Sequence, residues 1–113
     1  MNKIFKRKKT FLIAEAGINH SGSLKTAKEL ILLAKKYNFD AVKFQKRDLD
    51  VCIPKDQKNI MRETPWGHIT YLEYKKKIEL NYNHYKTLLN FSKNLGIELF
   101  VSCWDLESLE LMK

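Results

Sequence analysis

The chain is poor in cysteine and glycine. Its two cysteines, Cys52 and Cys103, form no C-x-x-C pair and no zinc spacing, which argues against a zinc module. Free thiols in a reducing cytoplasm are the simplest reading. There are four glycines. Gly17 and Gly22 are too far apart to make G-x-G-x-x-G after the first apolar string, so no glycine-rich phosphate loop is present. No apolar run approaches the roughly 20 residues of a membrane span. The first residues carry no apolar h-region, which argues against a secretory signal. His20, His68 and His84 show no ligand spacing, so no metal site is expected within this chain. Internal repeats and low-complexity tracts are absent.

What is present is ordinary for a soluble globular domain. Of 113 residues, 44% are hydrophobic and 30% charged, enough for one small domain with a modest core. The formal net charge is +8. Five of those charges, Lys3, Lys6, Arg7, Lys8 and Lys9, fall in the first nine residues. Residues 1–10 therefore read as a basic leader. Such arms suit nucleic acid or anionic membranes, but a solvated leader is the favoured reading, with neither partner expected. Lys75, Lys76 and Lys77 lie beside Glu73 and Glu79 and read as a solvated helix face.

Residues 11–113 alternate strand and helix. Phe11 to Glu15 reads as a strand, followed by a polar loop in which Ser21 or Ser23 caps the next helix. Leu24, Ala27, Ile31 and Ala34 share one face of that helix, with Leu30 and Leu33 beside them. It fades at Asn38, a residue suited to a left-handed turn. Ala41 to Gln45 is the second strand. Residues 46–70 contain Pro54, Pro65 and Gly67 and no sustained period, so they read as a long loop. A short helix follows over 71–80. Asn81 caps a clearer one, whose Tyr85, Leu88, Leu89, Ser92 and Leu95 share a face and which Gly96 ends. Leu99 to Ser102 is the third strand, and Asp105 starts a last helix over 106–113. The order β-α-β-loop-α-α-β-α predicts an α/β fold with parallel strands and right-handed crossovers.

Two of these strands end in polar groups. Alternation sends Lys43 and Gln45 to one face of the second strand and Val42 and Phe44 to the other. Ile13 and Glu15 share a side of the first. With Val42 and Phe44 packed under helices, Lys43 and Gln45 face away from them. A shielded ammonium needs a counter-charge; Glu15 on the adjacent strand supplies one, and a bound anion is the other candidate. A structural ion pair between neighbouring strands is the plainer account of the same residues. Trp66 beside Pro65 packs the long loop down, with sugar stacking as the alternative. His84 reads as a solvated helix residue.

The string IAEAGINHSGSLKTAKELILLAKKYNFDAVKFQK resembles the amino-terminal part of the sialic acid synthase family, N-acetylneuraminate synthase and its relatives for other nonulosonic acids. RETPWGHITYLEYKKKIEL and GIELFVSCWDLESLELMK are similar to the same family. The specific element is A-E-x-G-x-N-H followed one βα unit later by V-K-x-Q. The resemblance implies a TIM (β/α)8 barrel, of which this chain spans about the first three βα units. It implies condensation of phosphoenolpyruvate with N-acetylmannosamine or a related amino sugar in the cytoplasm. Carbon 3 of the enol attacks the sugar aldehyde, water attacks carbon 2, and phosphate leaves by C–O cleavage. It assigns Lys43 and Gln45 to phosphoenolpyruvate, Glu15 to an acid/base or water-orienting role, and Ser102 to a further substrate contact. Asn19 and His20 fall on the loop above the first strand. A divalent metal, Mn²⁺ or Mg²⁺, and a homodimer are implied for the full-length enzyme, the metal's ligands lying outside this chain.

Two departures qualify the resemblance. Many relatives end the third strand with Ser-Thr-Pro, where this chain has Ser102-Cys103-Trp104. The chain also stops after about three of the eight strands of a barrel, so it reads as an incomplete piece, inactive alone. The alternative from another class is a small phosphate-binding α/β module without catalysis.

Overall fold

Local chemistry sets most element ends. The computed structural model describes residues 9–113. Along the chain run β1 (Ile13–Gly17), α1 (Leu24–Lys36), β2 (Ala41–Lys46), α2 (Leu49–Cys52), β3 (Met61–Thr64), β4 (Gly67–Thr70), α3 (Tyr71–Ile78), α4 (Tyr82–Leu95), β5 (Glu98–Cys103) and α5 (Leu106–Met112). Of the basic leader, Lys3, Lys6, Arg7 and Lys8 lie outside the described residues.

Capping residues set the helix ends. The Ser23 hydroxyl accepts from the Thr26 N–H at 3.2 Å and starts α1, and Asn38 turns the chain out of it at φ +60°. Reciprocal capping boxes start α3 (Thr70 with Glu73) and α4 (Asn81 with His84). His84 is thus a capping residue rather than a merely solvated one: its Nδ1 accepts from the Asn81 N–H. Gly96, left-handed at φ +70°, ends α4.

β1, β2 and β5 form a parallel sheet in that order. The register pairs Ile13 with Ala41 and Glu15 with Lys43 on one side of β2. On the other it pairs Lys43 with Phe100 and Gln45 with Ser102. The α1 and α4 helices cover one face. Val42 and Phe44 are buried there in a single cluster with Ala27, Ile31, Tyr85 and Leu88. Each large apolar side chain so buried contributes about 1.5–3 kcal/mol. The opposite face is only partly covered: Phe11 packs on Phe100 there, with ring centroids 6.4 Å apart, and Ile13 is exposed.

The flanks of the sheet are apolar as well. A groove of about 450 Å³ runs along β5, lined by Leu89, Leu99, Val101, Leu109 and Met112 among others. A smaller one of about 250 Å³ lies beside β1, between Ala14, Leu30, Leu33 and Phe39. Leu33 and Leu89, expected on the packed faces of α1 and α4, are exposed at these flanks.

Two expectations need correction. The first strand sits two residues later than Phe11–Glu15. Leu12 is already engaged by Asp40: the Leu12 N–H donates to the Asp40 carboxylate and the Leu12 carbonyl accepts from the Asp40 N–H. A bulge between Glu15 and Gly17 then carries the ladder to Gly17. Residues 46–70 are not one loop. Asp48 caps the single turn of α2, and β3 and β4 pair as an antiparallel hairpin. At its turn the Thr64 hydroxyl donates to the Gly67 carbonyl at 2.8 Å and accepts from the Trp66 N–H at 3.2 Å. Trp66 packs on Tyr74 of α3, with ring centroids 6.1 Å apart.

Candidate functional site

Parallel strands bring their carboxyl ends to one edge, from which the connections to α1, α2 and α5 leave. At that edge Glu15 and Lys43, paired across the β1–β2 ladder, meet at 2.6 Å between Oε2 and Nζ. Their side chains are 52% and 35% exposed, so the pair is reachable from solvent. An ion pair this open contributes at most about 1 kcal/mol to stability.

Gln45 and Ser102 pair one step further along the same face. Cys103 turns the other way, its thiol directed at the Ser108 and Val101 carbonyls. A β-carbon built on Gly17, at φ +53°, would stand 3.4 Å from both the Gln45 amide nitrogen and a Glu15 carboxylate oxygen. The Gln45 amide and the Glu15 carboxylate thus flank a point where the backbone has no side chain. All four residues singled out from sequence, Glu15, Lys43, Gln45 and Ser102, lie on one face.

The ring of His20 sits under this edge, 1% exposed and 5.8 Å from the ring of Phe44. Its Nδ1 accepts from the Gly22 N–H at 3.0 Å, which puts the proton on Nε2. That nitrogen has no hydrogen-bond partner among the described residues. Burial, with His84 a lesser cause, pulls the imidazole from 6.5 down to about 4. The unfolded chain therefore binds more protons than the fold between those values. Stability is full above pH 6.5 and declines as pH falls toward 4, by about 3 kcal/mol at most. Urea midpoints measured from pH 7 to pH 4 will drop steeply in the parent and less in His20→Gln; equal slopes would remove His20 as the cause.

A second polar group lies beside the first, where β2 and β5 end. Glu79 takes Lys46 Nζ at 3.3 Å and stands 3.4 Å from Arg47 Nε, in ion contact without hydrogen-bond geometry. The Arg47 guanidinium stacks 4.8 Å above the Trp104 ring. Asp105 accepts from the Asp48 N–H at 2.7 Å and from the Ser108 N–H at 2.6 Å. Burial alone would raise the Asp105 carboxyl. Hydrogen bonds from those amides, the Ser108 hydroxyl and the Cys52 thiol outweigh it and hold the carboxyl down at about 2. Burial pushes both thiols up, so Cys52 and Cys103 are protonated, and neither is disulfide-bonded. In the sequence Glu79 reads as a solvated helix charge and Tyr85 as core, and Arg47 carries no signal. Only the odd Trp104, in place of the Pro of many relatives, signalled this group.

Among the described residues, no group of three or more His, Cys, Asp or Glu side chains is placed to hold a metal ion. The residues present do not fit one. No described helix is long and apolar enough to cross a membrane.

The profile of the NeuB family matches residues 30–113. The chain is 37% identical over 108 residues to the N,N'-diacetyllegionaminic acid synthase of Legionella pneumophila, covering 90% of this chain and 29% of that protein. It is 36% identical over 104 residues to the N-acetylneuraminate-9-phosphate synthase of Drosophila melanogaster, covering 90% and 28%. The crystal structure of the N-acetylneuraminic acid synthetase of Leptospira borgpetersenii, in complex with citrate, superposes with a TM-score of 0.73 at 24% identity. That match covers 92% of this chain and 32% of the other. The chain thus spans about a third or less of the length of these relatives.

Proposed function

The chain belongs to the NeuB family, and from that premise we propose that it supplies the phosphoenolpyruvate-holding part of a nonulosonic acid synthase. In this reading the three-stranded sheet is the first part of a (β/α)8 barrel, and its partly covered face is the lumen side. The apolar grooves along both outer strands support continuation of the sheet on either side, since closure would cover them.

The observation that carries the function is the 2.6 Å convergence of Glu15 and Lys43, with Gln45 and Ser102 on the same face. Phosphoenolpyruvate carries a carboxylate and a phosphate close together. Lys43 is a compact charge for such a dianion, and Gln45 donates and accepts beside it. Substrate charge would replace Glu15 as the partner of Lys43. The freed carboxylate then stands near carbon 2 of the enol as carbon 3 attacks the sugar aldehyde. There it offsets positive charge developing at carbon 2 and takes a proton from the water that adds to it. Phosphate then leaves by C–O cleavage. A divalent metal, Mn²⁺ or Mg²⁺, goes with this reading; held by residues beyond those described, it would polarise the sugar aldehyde. A cytoplasmic homodimer goes with the same reading.

The test is phosphate release by the whole protein supplied with phosphoenolpyruvate, N-acetylmannosamine or a related N-acetylated amino sugar, and Mn²⁺. Release is expected only when both organic substrates are present. Binding of phosphoenolpyruvate with no turnover on any such sugar would support a phosphate-binding module instead.

A further inference from the structure

Gln45 is the last site residue on β2, and its backbone is poorly secured on one side. The β1 ladder ends at the Gly17–Phe44 pair, one residue short of it. The group that reaches Gln45 there is Tyr85 of α4. Its hydroxyl donates to the Gln45 carbonyl at 2.6 Å, across 40 residues of sequence. Tyr85 is 4% exposed, and its ring is part of the core. A phenylalanine would fill that space equally well. What the tyrosine adds is the O–H, and a buried hydroxyl needs a partner.

The residues after Gln45 are tied down as well. Glu79 draws Lys46 and Arg47 toward the start of α4. The Trp104 N–H donates to the Lys46 carbonyl at 3.1 Å, and the Trp104 ring lies against Arg47. The side chain that breaks the Ser-Thr-Pro pattern is therefore part of the clamp on the end of β2. Burial, with Glu79 and Cys103 nearby, pushes the Tyr85 phenol well above its ordinary range, so it keeps its proton and donates.

We propose that Tyr85 is a positioning residue for substrate binding: it holds the Gln45 backbone so that the amide side chain stays between Gly17 and Ser102, in place to contact the dianionic substrate. Tyr85 touches no reacting atom; it acts through Gln45. This inference rests on the reading of Gln45 as a phosphoenolpyruvate contact.

The test is a double-mutant cycle in the whole protein, read as KM for phosphoenolpyruvate and, separately, KM for the amino sugar. Tyr85→Phe keeps the ring and removes one buried hydrogen bond. It is expected to raise KM for phosphoenolpyruvate about five- to tenfold and to leave KM for the amino sugar within twofold. Gln45→Ala raises the former by itself. Adding Tyr85→Phe to Gln45→Ala is then expected to change KM less than twofold, because the route of action is gone. Effects that multiply in the double variant would overturn the proposal. So would a Tyr85→Phe protein with a lowered melting midpoint and an unmoved KM, which is the mark of a purely structural tyrosine. If Gln45→Ala leaves KM unchanged, the assignment of Gln45 fails first and the proposal goes with it.

Discussion

Under the proposed function, Lys43→Ala is expected to lower kcat/KM of the whole protein for phosphoenolpyruvate by at least about 30-fold. Removing one partner of a buried, hydrogen-bonded charge pair costs about 2–5 kcal/mol, the case that applies once bound substrate covers Lys43, and each 1.4 kcal/mol is tenfold. The change leaves the fold nearly intact, because the Glu15–Lys43 pair is half-open to solvent and adds little stability. Thermal melting should therefore move by only a few degrees while activity collapses. Lys43→Arg keeps the charge but replaces a compact ammonium with a broad planar fork, so it is expected to recover only part of the loss. Initial rates of phosphate release against phosphoenolpyruvate concentration give the answer. Turnover at the parent rate in Lys43→Ala would end the assignment of this face as the substrate site.

The largest effect on stability is expected at Gly22. This residue adopts φ +79°, and a β-carbon there would lie 1.8 Å from the Lys77 carbonyl oxygen. That oxygen belongs to the backbone of α3 and has no rotamer to change. Gly22→Ala therefore has to push the β1–α1 loop away from α3. The same shift pulls the Gly22 N–H off His20. Overpacking of about 1–3 kcal/mol or more adds to a left-handed penalty of about 1–2 kcal/mol. We expect about 2–5 kcal/mol in urea denaturation, with much of the protein insoluble on expression. Gly67→Ala is the matched control. Gly67 also has positive φ, at +97°, but nothing stands within 4 Å of its β-carbon position, so only the backbone penalty applies. Equal losses at the two glycines would show that the contact with Lys77 is not tight.

The sheet was legible because its signals are local. Lys43, Gln45, Val42 and Phe44 sort onto two faces by simple alternation, and the observed register keeps that sorting. The helix ends at Ser23, Asn38, Asn81 and Gly96 announced themselves through residues with one conformational use. The β3–β4 hairpin gave no such signal. Met61, Arg62, Glu63, Gly67 and His68 are all exposed, so no buried face imprints an alternating pattern. Its turn is written in a threonine hydroxyl rather than in an Asn-Gly pair. For the same reason α2 escaped notice: one turn is too short to show a period.

The candidate site was half legible. Glu15, Lys43, Gln45 and Ser102 are polar residues set in or closing apolar strands, where they stand out. Tyr85 does not stand out, because at its spacing it reads as core, and its ring is core. The partner of its hydroxyl is a backbone carbonyl, which leaves no trace in amino-acid identity. Arg47 and Glu79 looked like ordinary surface charges until the end of α3 brought them together.

The central position of β2 also governs the order of assembly on the ribosome. β1 and β2 are both available once Lys46 has emerged, but the opposite edge of β2 must wait for Cys103, its last partner in β5. At about 5–20 residues per second, that edge stays bare for roughly 3–10 s. The hairpin and α3, which form from neighbouring residues, are made during this interval. Nascent chains stalled before β5 should therefore be the species that chaperones capture.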